Sequence, residues 1–381
     1  MQIYKISISD AKSLFEKLGC DKGGISILNN KSTLHTIYIK NLHVAAANIL
    51  KQDALSIGAD LAVPTGVIIA KDKYVNAILI ASSKHLKLLS KKELAQPFGL
   101  KNLAKQLTSY ILDKKYKTKI MGVLNANEDS FFKNSRFNEV EAISRIEKLI
   151  EDGADIIDIG AVSSRPGSLP VEPEIELSRV KNIADAIYST KLYEKARFSI
   201  DSYEPLVIDY VLNKGFDIVN DITGLQNEEV IKLCAKYNAT AVIMHMQKDP
   251  TFMQVNPVYE DVILEVEEFL EKQMLKAKEF GVKDIVLDVG IGFGKTLEHN
   301  LKLLNHLEHF KHLGCELLIG ASRKSMIDKI VPSTIEQRLP GTLAIHLESI
   351  KKGASIIRCH DVKEHYQAIK VQEAILSQEI L

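Results

Sequence analysis

Little in this sequence leans to an extreme. Only 10 of its 381 residues are proline, and lysine plus arginine balance aspartate plus glutamate at 49 each. A formal charge of zero removes the electrostatic reason to expect nucleic acid or an anionic membrane as partner. The local run Lys114, Lys115, Lys117 and Lys119 reads as a solvated linker rather than a nucleic-acid patch. The 4 cysteines, Cys20, Cys234, Cys315 and Cys359, lie far apart with no C-x-x-C and no zinc spacing. That argues against a disulfide framework and predicts structural thiols in a reduced, cytoplasmic protein. No apolar run approaches the roughly 20 residues of a membrane span. The opening MQIYKISISDAK lacks the basic region and apolar block of a secretory signal.

What is present is a repeated pattern. From about residue 117 onward, short β-branched runs alternate with stretches of helical periodicity. The runs begin at Ile120, Asp155, Arg197, Asp217, Thr240, Asp284, Glu316 and Ser355, which makes 8. Between the first two, Val140, Ile143, Ile146, Leu149 and Ile150 recur at helical spacing, and Gly153 supplies a stop. Nearly continuous apolar strands that alternate with helices are parallel and covered outside. Eight such units fit a (β/α)8 TIM barrel, an α/β fold of roughly 250 residues. A doubly wound open sheet is the competing architecture.

The polar residues favour the barrel. Nearly every run ends in one: Asn125, Asp158, Asp201, Asn220, His245, Asp288, then Ser322 with Arg323 and Lys324, and Arg358 with His360. Barrel active sites sit at the C-terminal ends of the strands, so these ends describe one pocket. Singly, each has a plainer reading. Asn220-Asp221 could be only a turn, and His245 a satisfied core histidine.

The first 110 or so residues break the pattern and read as a small α+β domain, a structural or oligomerisation module without a catalytic constellation. The expected division is 1–112 and 113–381.

Two tempting motifs are set aside. GIGFGKT, Gly290 to Thr296, would need glycine at Val289 to match a phosphate-cradling P-loop. His306, His309 and His312 recur every third residue on an expected helix, a step that drifts round the surface, with no carboxylate ligand evident. They read as an exposed face rather than a metal site.

Taken together and in order, MGVLNANEDSF, ADIIDIGAVSSRPGS, SIDS, GFDIVNDITG, VIMHMQ, LDVGIGFGKTLEHN, GASRKS and GASIIRCHDVKE closely resemble the signatures of the dihydropteroate synthases. The resemblance covers roughly residues 118 to 375. It implies condensation of a pterin pyrophosphate with p-aminobenzoate, through loss of pyrophosphate and attack of the arylamine on the pterin methylene. It implies Asp158, Asp201, Asn220, Met244, Asp288, Gly292 and Lys324 around the pterin. Asn125, Arg165, Arg358 and His360 match the pyrophosphate contacts, with Asn125 helping to place Mg2+. Ser164, Arg165, Pro166, Phe293, Ser322 and Lys324 match the p-aminobenzoate pocket, where sulfonamides bind in the family. Asp201, Lys324, Arg358 and His360 are the implied catalytic group, and a homodimer the implied assembly.

The match is not complete. The first loop reads Asn125-Ala126-Asn127-Glu128-Asp129-Ser130-Phe131, without the usual Pro and following Gly residues. Val162 stands where Glu is usual, Ser164 where Thr is usual, and Val289 where Pro is usual. None removes a substrate-bonding group, so altered loop motion rather than lost activity is expected. The alternatives are a methyltetrahydrofolate:corrinoid methyltransferase-like enzyme, a catalytically silent pterin-binding protein, or an aldolase-type barrel forming a Schiff base on Lys324. The first handles no pyrophosphate, so the set Arg165, Lys324, Arg358 and His360 discriminates against it.

Overall fold

The computed structural model describes residues 1–4, 6, 10–111, 114–126, 135–162, 171–248 and 252–378, with the side chains of 135–139 excepted. Two compact units emerge: Met1–Lys114 together with the chain from Ala374, and Lys115–Glu373.

The first unit opens with helices α1 (Ala11–Lys17) and α2 (Lys22–Ser32), then strand β1 (Leu34–His43) and helix α3 (Val44–Ile57). Strands β2 (Asp60–Ala62) and β3 (Tyr74–Ser82) follow, then helices α4 (Ser83–Lys92) and α5 (Leu100–Ser109). Its antiparallel sheet has the order β1-β3-β2. In β3, Val75, Ala77, Leu79 and Ala81 are buried while Asn76, Ile78 and Ile80 are exposed, the period-two pattern of a sheet covered on one face. The buried face packs with Leu50 and Ala54 of α3, Leu86 and Leu89 of α4, and Leu100 and Leu107 of α5. Ser82 caps α4 reciprocally with His85, each side chain accepting from the other's backbone N–H. This is the small α+β unit that the sequence leads one to expect.

The second unit is a closed barrel of eight parallel strands in the order β10-β11-β4-β5-β6-β7-β8-β9. Its elements are β4 (Lys119–Asn125), α6 (Ser135–Glu151), β5 (Ile156–Gly160), α7 (Pro173–Thr190), β6 (Arg197–Asp201), α8 (Pro205–Leu212), β7 (Ile218–Asp221), α9 (Glu228–Tyr237), β8 (Thr240–Met244), α10 (Val262–Glu279), β9 (Ile285–Asp288), α11 (Leu297–Asn305), β10 (Glu316–Ile319), α12 (Ser325–Ile330), α13 (Leu339–Lys351), β11 (Ile356–Cys359) and α14 (Val362–Leu376). Every strand but β6 carries two sets of apolar residues. One set joins the helices in a large outer core, with Ile157, Ile159, Phe198, Ile200, Val219, Ala241, Ile243 and Leu287 among them. The other fills the barrel as a separate plug: Met121, Ile156, Ile218, Val242, Val286, Leu318 and Ile356. Burial on both faces explains why these strands read as unbroken apolar runs. The open-sheet alternative is excluded by closure between β4 and β11, where Ile356 to Cys359 pair with Lys119 to Gly122. All 4 cysteines are unbridged.

One group in the first unit is under electrostatic stress. Glu93 is fully buried, and burial followed by the neighbouring Asp53 carboxylate pushes its carboxyl up from 4.5 to about 7. A carboxyl whose folded-state pKa is raised stabilises least where it must be ionised. Its cost is absent below the ordinary 4.5 and complete above about 7. Glu93→Gln should therefore raise the calorimetric unfolding midpoint of this unit above neutral pH. The gap from wild type should close as pH falls from about 7 toward 4.5.

Candidate active site

The plug dictates which side chains line the mouth above it. Side chains along a strand alternate, so a residue two positions beyond an inward one is also inward. Two steps on from Ile156, Ile218, Val242, Val286 and Ile356 stand Asp158, Asn220, Met244, Asp288 and Arg358. On β6 the inward position at plug level is Ser199, paired with Ile218, and two steps on is Asp201. On β10 the position two beyond Leu318 is Gly320, where a Cβ would lie 3.7 Å from the Arg358 side chain. That is ordinary van der Waals contact, so the position lies directly against the arginine.

The same parity resolves the two plainer readings. Asp221 and His245 sit one step off the inward positions. Asp221 accepts from the backbone N–H groups of Thr223 (2.7 Å) and Leu225 (3.1 Å), so it organises the turn. His245 packs edge-on against Phe269 of α10, with ring centroids 5.1 Å apart. Burial, then the charge of Lys295, depresses its imidazole to about 2. It is a neutral core histidine.

Arg358 holds the inward set together. Its Nε donates to Asp158 Oδ2 at 2.6 Å and its Nη2 to Asp201 Oδ2 at 2.7 Å. Asn220 Nδ2 donates to the same Asp158 oxygen at 3.2 Å. Burial, then the nearby Asp158, push the Asp201 carboxyl upward against the pull of Arg358 and Lys324. Asp288 is also raised by burial, although its Oδ1 accepts the Gly290 N–H at 2.7 Å and Lys324, Lys295 and Arg358 all act to lower it. Lys324 lies with its ammonium 4.0 Å from the centre of the Phe293 ring, a cation–π contact. A Cβ at Gly292, where φ is +83°, would come 3.2 Å from the Lys324 side chain. Met244 and Phe293 belong to an apolar cluster with Ile222, Met246 and Met253. Ser322 Oγ lies 2.9 Å from His360 Nδ1, at an exposed rim. Asn125, half-buried, ends β4. Ser164, Arg165 and Pro166 fall outside the described residues.

Several supports are not apparent from the motifs. Lys295, which the failed P-loop comparison leaves without a role, is buried at 3% exposure. Its Nζ is within 3.0 Å of His245 Nδ1, Gly290 O and Phe293 O, and 3.2 Å from His245 O. Burial drives it down to about 7. It nails the loop bearing Gly292 and Phe293 to the end of β8. A second support is a relay of two buried histidines. His365 Nδ1 donates to Asp361 O, His346 Nδ1 lies 2.8 Å from His365 Nε2, and His346 Nε2 accepts from Ala321 N–H at 3.1 Å. The two end partners fix each tautomer, so the pair is neutral and ties the β10 loop to the β11 loop. Arg323 reinforces that tie with two bonds to Asp361, 2.9 and 2.6 Å, from a left-handed backbone at φ 53°. It thus points away from the role of a substrate contact.

Replacing Lys295 with Met would strand the His245 and Phe293 carbonyl oxygens and an imidazole nitrogen without a donor, Gly290 O keeping the Phe293 N–H. We expect a loss on the order of 3 kcal/mol in urea-unfolding stability, larger than for the same change at an exposed lysine such as Lys232.

Comparison with known proteins agrees with this geometry. The family model described as pterin binding enzyme matches residues 121–360. A protein of Helicobacter pylori named bifunctional dihydropteroate synthase/dihydropteroate reductase is 39% identical over 376 residues, 98% of this chain and 99% of its own length. The dihydropteroate synthase of Thermus thermophilus, solved in complex with 4-aminobenzoate, superposes with a TM-score of 0.62 at 38% identity, covering 68% of this chain and 95% of that one. The Yersinia pestis enzyme, solved with a sulfonamide drug complex, gives 0.64 at 34% identity, with 69% and 95% covered. A barrel whose inward polar residues stand two steps above an apolar plug, matched over nearly the full length of such relatives, belongs to the dihydropteroate synthase family of pterin-binding enzymes.

Proposed function

We propose that this chain joins 6-hydroxymethyl-7,8-dihydropterin pyrophosphate to p-aminobenzoate, and that Arg358 acts at both ends of the pterin substrate. The observation carrying this is the guanidinium shared between Asp158 and Asp201. A pterin ring presents an amino group beside ring nitrogens, an arrangement of donors like that of a guanidinium. The acceptors the ring needs are thus the ones Arg358 now holds. Entry of the ring between Asp201, Asn220 and Asp288 displaces the arginine, which is then free to meet the pyrophosphate. A wrong heterocycle would leave these buried groups unpaired, which is a strong basis for discrimination.

In the reaction, the bond between the pterin methylene and the pyrophosphate oxygen breaks. The arylamine nitrogen forms the new bond to that carbon and sheds one proton to solvent or to the leaving group. Arg358, His360 and Arg165 stabilise the departing charge. Lys324 bonds the ring, and its stem with Phe293 and Ser322 borders the p-aminobenzoate, for which the family resemblance also implies Ser164 and Pro166. No nucleophile from the enzyme is required.

The donor set also fits a divalent cation. Asn125 supplies a neutral oxygen, which suits Mg2+, an ion that takes few protein ligands and completes its shell with water and substrate phosphates. When bound, Mg2+ would neutralise pyrophosphate oxygens. No described helix is long and apolar enough to cross a membrane. A cytoplasmic homodimer, with a domain boundary near residue 113, completes this reading.

A second activity has its own support. The barrel alone accounts for nearly all of the Thermus and Yersinia enzymes, whereas the Helicobacter relative matches from end to end and is named for a reductase as well. We infer that the α+β unit serves reduction of dihydropteroate: a hydride donor of the dihydronicotinamide or reduced-flavin class delivers two electrons and one proton, and water a second proton. This replaces the structural or oligomerisation role expected from the sequence.

Pyrophosphate release that depends on p-aminobenzoate tests the first activity, and Arg358→Ala should lower its kcat/KM by about a hundredfold or more. Release without p-aminobenzoate, or full activity in the variant, would contradict the assignment. For the second, the full chain given dihydropteroate with NADPH, with and without added flavin, should yield the tetrahydro product, and residues 115–381 alone should yield none while retaining synthesis.

A further inference from the structure

The outer layer of the barrel holds a constellation that the synthase reaction does not use. Glu267 on α10 faces His309 and His312, which lie on the 3-10 helix Leu307–Leu313 that precedes β10. His309 Nε2 is 3.0 Å from Glu267 Oε2, and His312 Nε2 is 2.8 Å from Glu267 Oε1. The two imidazole rings stand 4.9 Å apart. The helix type is what makes this meeting possible. Three-residue steps drift round an α-helix, but in a 3-10 helix of three residues per turn they eclipse. The two histidines therefore share one edge, and the carboxylate missing from the neighbouring sequence comes from a helix 42 residues upstream.

We propose that Glu267, His309 and His312 form a binding site for a divalent transition-metal ion of the Zn2+ class. The three donor atoms lie within 4.8 Å of one another. A tetrahedral zinc ion at its usual bond lengths spaces its ligands about 3.3 Å apart, so small rotamer adjustments close the set. His312 is already in the tautomer a metal requires. Its Nδ1 donates to the backbone carbonyl of His309, the outer contact that metal-bound histidines characteristically make, and this leaves the Nε2 lone pair directed at the carboxylate. A lone pair and a carboxylate oxygen repel unless a cation lies between them. A proton can fill that place, making His312 an imidazolium; a divalent ion fills it for both histidines at once. Imidazole and carboxylate ligands suit zinc, cobalt and nickel rather than magnesium or calcium. The ligand side chains are sheltered, His312 at 10% and His309 at 21% exposure, yet open to solvent. Three protein ligands leave a fourth position for water. The ion would clamp α10 to the segment leading into β10, the strand whose far end carries Ser322 and Lys324.

The test is titration of the EDTA-treated full chain with Zn2+ by calorimetry, and with Co2+ by visible absorption, in excess Mg2+ so that oxygen sites are filled. One equivalent of Zn2+ should bind with a Kd of roughly micromolar or tighter, and Co2+ should show ligand-field bands. His309→Ala and His312→Ala should each weaken binding at least about tenfold, while His306→Ala, on the same segment but exposed, should leave it unchanged. If those alanine variants do not fold, Glu267→Gln, which conserves volume, takes their place with the same expectation. Absence of Zn2+ binding by the wild-type chain overturns the proposal, as does undiminished binding in a folded variant lacking any one of the three ligands.

Discussion

A single guanidinium stands between two buried carboxylates at the mouth of the barrel, and the arrangement of the site depends on it. Asp158 and Asp201 occupy adjacent strands, both nearly inaccessible to water. Without Arg358 their charges would repel in a medium that solvates neither. Such buried ion clusters are poor devices for stability, since an apolar core of the same volume does as well or better. Their presence is best understood through function: the arginine holds the acceptors oriented until a ligand with matching donors replaces it. The Arg323–Asp361 pair and the two-histidine relay fix the loops on either side.

Closure of the barrel supplies the convergence. β11 reaches β5 only across β4, so Arg358 and Asp158, 200 residues apart in sequence, meet because the sheet closes on itself. The apolar plug below excludes water, and the polar ring lies one inward step above it on every strand that contributes. A chain with this plug and one strand shifted by a single residue would send its polar group into the helical layer.

This geometry also explains what the sequence can and cannot reveal. Asp158, Asp201, Asn220 and Asp288 stand out because each interrupts or ends an apolar run, and the barrel itself is legible from strands buried on both faces. The choice between Asn220 and Asp221 is harder, since both polar side chains are adjacent, and only the position of the plug tells which points inward. Lys295 is opaque for a different reason. Its partners are backbone carbonyls and a histidine 50 residues away, none of which leaves a mark in a local motif. His309 and His312 mislead because their spacing means one thing on an α-helix and another here; the tighter 3-10 winding changes which residues share an edge. The second barrel loop, with Ser164, Arg165 and Pro166, falls outside the described residues, so the roles of these residues rest on the family resemblance.

The account turns on exchange of Arg358 between carboxylates and phosphate. The most direct measurement is a crystal structure of the full chain soaked with 6-hydroxymethyl-7,8-dihydropterin pyrophosphate. The predicted result is a ring hydrogen-bonded to Asp201, Asn220 and Asp288, with the Arg358 guanidinium withdrawn from Asp158 and Asp201 and within hydrogen-bonding distance of a phosphate oxygen. A bound ring elsewhere, with Arg358 still bridging Asp158 and Asp201, would contradict it.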